Sequence, residues 1–268
     1  MKDWDDAFAN LAYIAGGDAL LDDIAREAAA FRTGVKAEFE VPYGDRERTR
    51  FDLFFPEATP PKGLMIFIHG GYWMHTSKSD WSYLAAAALA RGYVACFPGY
   101  TLAPQALIAE ITQEVGLAIA AASTRVQGPI FLAGHSAGGH LVARMVCEDS
   151  PLSPTVLSRI KRVMPISGVF DLRPLMKTQM NQTLGLTDAS AIQESPVLKR
   201  PLPSIPVDLW VGSAERPEFL RQSRLLNLAW QGFDAEISLI EDPDAHHFSV
   251  LDGLRDGASP LAERLFAN

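Results

Sequence analysis

Ile130-Phe-Leu-Ala133-Gly134-His-Ser136-Ala-Gly138 is the stretch on which the fold turns. Four apolar residues read as a buried strand, and residues 138–148 read as a helix. Between them stands G-x-S-x-G. A chain that passes from strand to helix this abruptly brings its own backbone close, and a side chain at either glycine would collide with it. Ser136 is then expected to stand exposed at the start of the helix, where free N–H groups favour negative charge. A glycine-rich turn with an N-capping serine would give the same letters without any chemistry. His135 adjoins the serine in sequence, but on such a turn it points elsewhere and is expected to pack or support.

Outward from this turn, strands and helices alternate. Upstream, residues 63–68 form a continuous apolar run, the signature of a strand buried on both faces. A helix over 79–91, a strand over 93–97 and a helix near 105–123 lead to the central strand. Downstream come strands at 162–166 and 207–211, a helix at 217–231, a strand at 236–240 and a terminal helix. Residues 35–41 and 49–55 read as two further strands joined by Pro42-Tyr-Gly-Asp45. The first thirty residues carry apolar positions at helical spacing, interrupted at Gly16-Gly17, and predict two short helices. The pattern predicts an α/β fold: one domain over residues 1–268 with a mostly parallel, doubly covered sheet and its site at the carboxyl ends of the strands. Residues 171–202 lack clean periodicity. They are expected, with residues 1–30, to form a small cap over the leaving-group side.

Composition narrows the function. The 268 residues are 48% hydrophobic and 21% charged, ordinary for a globular chain. Lys plus Arg number 24 against 32 Asp plus Glu, a net charge of −8. That balance argues against a nucleic-acid partner and against anionic membrane surfaces. The acidic start lacks the basic-then-apolar pattern of a secretory signal, and no apolar stretch approaches membrane-spanning length. A cytoplasmic protein is expected. Cys96 and Cys147 lie in strand-like and helix-like runs and are expected to be small core residues. No H-E-x-x-H, paired-cysteine or phosphate-loop motif occurs, so neither metal nor cofactor is implied.

The run over 64–68 ends in His69-Gly-Gly-Tyr-Trp73. Acyl transfer places negative charge on a carbonyl oxygen, and preorganised N–H donors are often the largest catalytic term. Glycines allow the backbone to approach and aim such donors. The N–H groups of Gly71 and Tyr72 are the expected oxyanion donors, with that of Ala137 as the third. Tyr72 and Trp73 are expected to wall the acyl or aryl pocket, and His69 to buttress the loop.

His69-Gly-Gly-Tyr-Trp73, Tyr100-Thr-Leu-Ala-Pro104 and Gly134-His-Ser136-Ala-Gly138 together resemble the α/β-hydrolase superfamily, in its HGG-containing esterase branch related to hormone-sensitive lipase. The HGGYW form resembles kynurenine formamidase (arylformamidase) and its esterase relatives. Gly168-Val-Phe-Asp-Leu172, Pro217-Glu-Phe-Leu-Arg-Gln-Ser223 and His247-Phe-Ser-Val-Leu251 add to the resemblance, which covers about residues 60–255.

The resemblance implies a triad in the order serine, acid, histidine. The base should follow the last strand, where His246 and His247 both stand. Relatives carry the histidine directly before a phenylalanine, which selects His247. The acid should follow strand 207–211, at Glu215, where relatives usually place an aspartate. Glu218, Asp242 and Asp244 stay open as rivals. The implied activity is hydrolysis of small-acyl esters or arylformamides through an acyl-enzyme. The small-molecule substrate is the expected partner, and a homodimer stays open. The rival readings are a carboxylesterase or thioesterase without formamidase activity, and a non-catalytic binding protein on the same fold.

Overall fold

Alternating side-chain direction explains why the central strands are apolar at every position. In β3 (Leu64–Ile68) the side chains of Leu64, Ile66 and Ile68 enter one core, and those of Met65 and Phe67 enter another on the opposite face. The same division runs through β5 (Ile130–His135), with Leu132 on one side and Phe131 and Ala133 on the other. A strand covered on both faces has no polar face to show.

The computed structural model describes residues 2–267. Its single sheet also contains β1 (Ala37–Pro42), β2 (Arg50–Phe54), β4 (Val94–Pro98), β6 (Ile160–Ile166), β7 (Val207–Gly212) and β8 (Ile237–Asp242). The strand order is β1-β2-β4-β3-β5-β6-β7-β8. β2 pairs antiparallel with both β1 and β4, and every other pairing is parallel. Each expected strand is present. The parallel strands therefore end on one edge of the sheet, and their connecting loops converge there.

The helix Ile108–Arg125 buries Ile111, Val115 and Ile119 on one face of the sheet, beside Leu141 and Val142 of the helix Ala137–Arg144. On the other face Ile24 and Ala28 of the helix Gly17–Thr33 pack with Trp81 and Leu84. Two helices depart from their expected form. The one read over 79–91 begins as a tighter 3₁₀ turn, Lys78–Ala85, closed by Asp80 on the Ser77 N–H at 2.7 Å, before an α-helical turn Ala86–Ala90. The one read over 138–148 stops at Arg144, because the next residues pair with residues 200–202: Glu148 N–H donates to the Arg200 carbonyl at 2.8 Å, and Leu202 N–H to that of Val146 at 2.7 Å. At the amino end a five-residue helix, Trp4–Phe8, and a 3₁₀ turn, Leu11–Tyr13, precede a 17-residue helix that starts past the left-handed Gly16.

Residues 171–202 form four short turns. Leu172, Leu175, Leu184 and Ala191 are buried in the core with the helix Ile108–Arg125, and Glu194 accepts from Arg144 Nε and Thr112 Oγ1. Cys96 and Cys147 are buried and unpaired. Among the described residues no helix is long and apolar enough to cross a membrane, and no group of three His, Cys, Asp or Glu side chains is arranged to hold a metal ion.

Candidate active site

Ser136 occupies the sharp turn between β5 and its helix, with φ 55° and ψ −116°. Non-glycine residues rarely adopt this backbone, at a cost of about 1–3 kcal/mol, and the surroundings must impose it. They do: Ser136 N–H donates to the Ile166 carbonyl on β6 at 2.8 Å. A Cβ at Gly138 would lie 2.0 Å from the Ile68 carbonyl oxygen, and one at Gly134 would lie 2.3 Å from that of Gly138. Both motif glycines are thus fixed by close approach of backbone.

The loop after β3 lies directly against this turn. A Cβ placed on Gly70 would sit 3.0 Å from that of Ser136. Gly71, Tyr72 and Trp73 all have positive φ, at 101°, 52° and 58°, so the loop coils tightly and its carbonyls turn inward: that of Gly71 accepts from His75 N–H at 2.8 Å. Among the described residues, the N–H groups of Gly71, Tyr72 and Ala137 have no protein acceptor. His69 holds the loop. Its Nδ1 lies 2.8 Å from the Gly70 carbonyl, its ring stacks on Tyr100 at 4.2 Å, and burial pushes its pKa down to about 3, so it stays neutral.

Glu215 and His247, the expected acid and base, follow β7 and β8 and meet there. Glu215 Oε2 accepts from His247 Nδ1 at 2.6 Å. The other oxygen, Oε1, accepts from Gly212 N–H at 2.8 Å and from the Ser167 hydroxyl. The side chains are sealed, 0% exposed for Glu215 and 4% for His247, so the pair works away from bulk water. A hydrogen on Nδ1 leaves His247 Nε2 as the proton acceptor. The extra methylene of glutamate is accommodated by a second anchor: Ser167, held at φ 51° at the end of β6, grips the far oxygen. Glu218 instead binds Arg221, Gln222 and Lys2. Asp242 accepts from Trp210 Nε1 at 3.0 Å, and His246 Nδ1 accepts from the Phe248 and Ser249 N–H groups at 3.2 Å. Neither Glu218 nor Asp242 bonds His247 among the described residues, and His246 bonds neither Glu215 nor Ser136. His135 donates from Nε2 to the His247 carbonyl at 2.7 Å, supporting the base from behind, and desolvation holds its pKa well below that of free imidazole.

Ser136, His247, Gly71 and Tyr72 open onto one cavity of about 280 Å³. Its walls are apolar: Ala9, Leu11, Ala12 and Leu21 from the amino-terminal segment, Trp81 and Phe248 from the body. No hydrogen bond joins Ser136 to His247 among the described residues; such bonds commonly tighten only when substrate arrives. A second, polar cavity of about 220 Å³ adjoins His247 on its other side, lined by Asn10, Tyr13, Arg216 and His246 among others.

Two sequence expectations do not hold. Trp73 walls no pocket: it is 0% exposed and packs edge-on against His140 at 5.1 Å, because the left-handed turn sends its ring into the core while Tyr72 stays at the cavity. Residues 171–202 contribute nothing to either cavity, since their apolar side chains are spent in the core. Asn10, Trp81, Thr76 and Ser167 went unread in the sequence. Only Ser167 carries a signal there, its place at the carboxyl end of a parallel strand.

The sequence profile of the alpha/beta hydrolase fold family matches residues 65–225. The chain belongs to that family, and it is a hydrolase. It is 29% identical over 253 residues to the kynurenine formamidase of Danio rerio, covering 88% of this chain and 85% of that one. With the kynurenine formamidase of Salmo salar it shares 30% over 236 residues, 84% and 79% of the two chains. A crystal structure from Silicibacter sp. tm1040, described as that of a candidate thioesterase, superposes over all of both chains with a TM-score of 0.94 and 43% identity.

Proposed function

We propose that this enzyme hydrolyses small-acyl esters and arylformamides through an acyl-enzyme on Ser136. The observation that carries the reading is the sealed Glu215–His247 hydrogen bond at 2.6 Å beside a strained serine in one small apolar cavity. His247 Nε2 takes the Ser136 proton as Oγ adds to the acyl carbon. The oxyanion that forms is held by the N–H groups of Gly71, Tyr72 and Ala137. The carbon–nitrogen or carbon–oxygen bond then breaks, and the leaving atom takes the proton from His247. Water repeats the sequence, with His247 again as base, and releases the acid.

The cavity volume, just below the range of about 300–1,000 Å³ common for drug-sized ligands, supports a short acyl group. The formamidase relatives support an arylamine leaving group. The two buried, unpaired thiols support a reducing, cytoplasmic setting. The test is kcat/KM for N-formylkynurenine beside p-nitrophenyl esters of two to ten carbons and a short acyl thioester. The expected result is turnover of N-formylkynurenine and a preference for two or three carbons. Peak activity at eight to ten carbons would overturn the small pocket. Ester or thioester turnover with no cleavage of the formamide would remove the formamidase half of the reading.

A further inference from the structure

Asn10 belongs to the amino-terminal segment, yet it is buried at 6% exposure. It and His247 are the two residues, among those described, that line both cavities. Its carboxamide orientation follows from its neighbour. Tyr72 has one hydroxyl proton, donated to the Phe8 carbonyl at 2.5 Å, so the group facing Tyr72 Oη at 3.2 Å must be a donor, the Asn10 Nδ2. The other arm, Oδ1, is then an acceptor, and it has no partner among the described residues. Because Asn10 and His247 line the same two cavities, a leaving nitrogen that collected its proton from His247 would stand near the wall Asn10 forms. When that nitrogen takes the proton on its lone pair, its own N–H must point away from His247 and needs an acceptor. An ester oxygen has no N–H and no such need.

We infer that Asn10 Oδ1 accepts the N–H of an amide substrate's leaving group and thereby sets the preference for formamides over esters. This rests on the formamide reading above. Through Nδ2 and Tyr72, the same side chain ties the cap segment to the oxyanion loop, so a purely structural role must be separated from recognition.

Formanilide carries that N–H. N-methylformanilide replaces it with a methyl group, and the near-isosteric Asn10→Leu removes the acceptor while keeping the wall that a bulkier methyl would meet. Each of the two formamides is competed against p-nitrophenyl acetate in the wild type and in Asn10→Leu, Asn10→Ala and Asn10→Asp, with thermal melts as a fold check. Competition reads binding whether or not the formamide is cleaved, so a failed formamidase reading stays distinguishable from a failed role for Asn10. The wild type is expected to favour formanilide about tenfold, the size of one uncharged hydrogen bond. Asn10→Leu and Asn10→Ala should bring the ratio of inhibition constants close to one. Asn10→Asp, which keeps an acceptor but loses the donor to Tyr72, should retain the preference while slowing all substrates. A wild-type ratio near one overturns the inference, as does a ratio that survives in Asn10→Leu and Asn10→Ala.

Discussion

The active-site cavity has two walls of different make. One grows from the ends of β3, β5, β6, β7 and β8, and its geometry is set by backbone: positive φ at Gly71, Tyr72, Ser136 and Ser167, and glycines that admit carbonyls at contact distance. The other is residues 3–14, anchored by Phe8, buried edge-on against Phe219, and by polar bonds: Tyr72 Oη to the Phe8 carbonyl, Asn10 to Tyr72, Gln179 N–H to Asp5, and Arg216 to Asp6 at 2.5 Å. Reacting groups need placement to a fraction of an ångström, which a sheet edge provides. Substrate choice needs only a wall of suitable shape, which a segment held by its side chains can supply and change.

Changes to the sheet wall should therefore abolish turnover, whereas changes to the cap should redistribute it among substrates. The largest expected losses follow Ser136→Ala and His247→Ala, each about 10⁵–10⁶ in kcat, with the double variant no worse because the two act as one unit. An additive double variant would mean that they serve separate steps. Glu215→Ala should lower kcat by about 10²–10⁴, since it orients the base without exchanging the proton. Glu218→Ala should cost far less, and the reverse order would move the acid by one helical turn. Tyr72→Phe leaves the loop backbone intact but removes both bonds that its hydroxyl makes to the cap, to the Phe8 carbonyl and from Asn10 Nδ2. It should raise KM about five- to thirtyfold with little change in kcat, in proportion to two hydrogen bonds. A kcat loss as large as that of Glu215→Ala would show that the cap also places the reacting groups.

The last effect concerns stability and its dependence on pH. Buried His69 and His140 are pushed down to about 3 from an unperturbed value near 6.5. Below 6.5 the unfolded chain binds protons that the folded one refuses. Stability should be full above pH 6.5 and fall as pH drops toward 3. Urea midpoints at pH 7.5, 5.5 and 4.5 read this directly. A flat profile would mean that these imidazoles reach solvent or a partner when protonated.

The turn at Ser136 was legible because its conformation leaves a chemical mark: it demands glycine at 134 and 138, and Ser136 between them lines the cavity although only 2% exposed. Glu215 and His247 were legible only through their order along the chain and their neighbours, since a lone carboxylate or imidazole after a strand carries no mark of its own. Trp73 misled because two adjacent left-handed residues send their side chains apart, which letters alone do not show. Residues 171–202 misled because short turns with scattered prolines look like surface although their leucines fill the core. Asn10 was invisible. Its partner Tyr72 lies 62 residues away, and nothing local distinguishes it from a capping asparagine.

The proposed chemistry stands on Ser136 as the nucleophile, raised to reactivity by His247 on Glu215. Intact-protein mass measurement after treatment with an organophosphate ester tests it most directly, with peptide mapping of the adduct. One adduct per chain is expected, on Ser136, absent in Ser136→Ala and formed far more slowly in His247→Ala. An adduct on another residue, or a Ser136→Ala variant that still turns over p-nitrophenyl acetate at the wild-type rate, would contradict it.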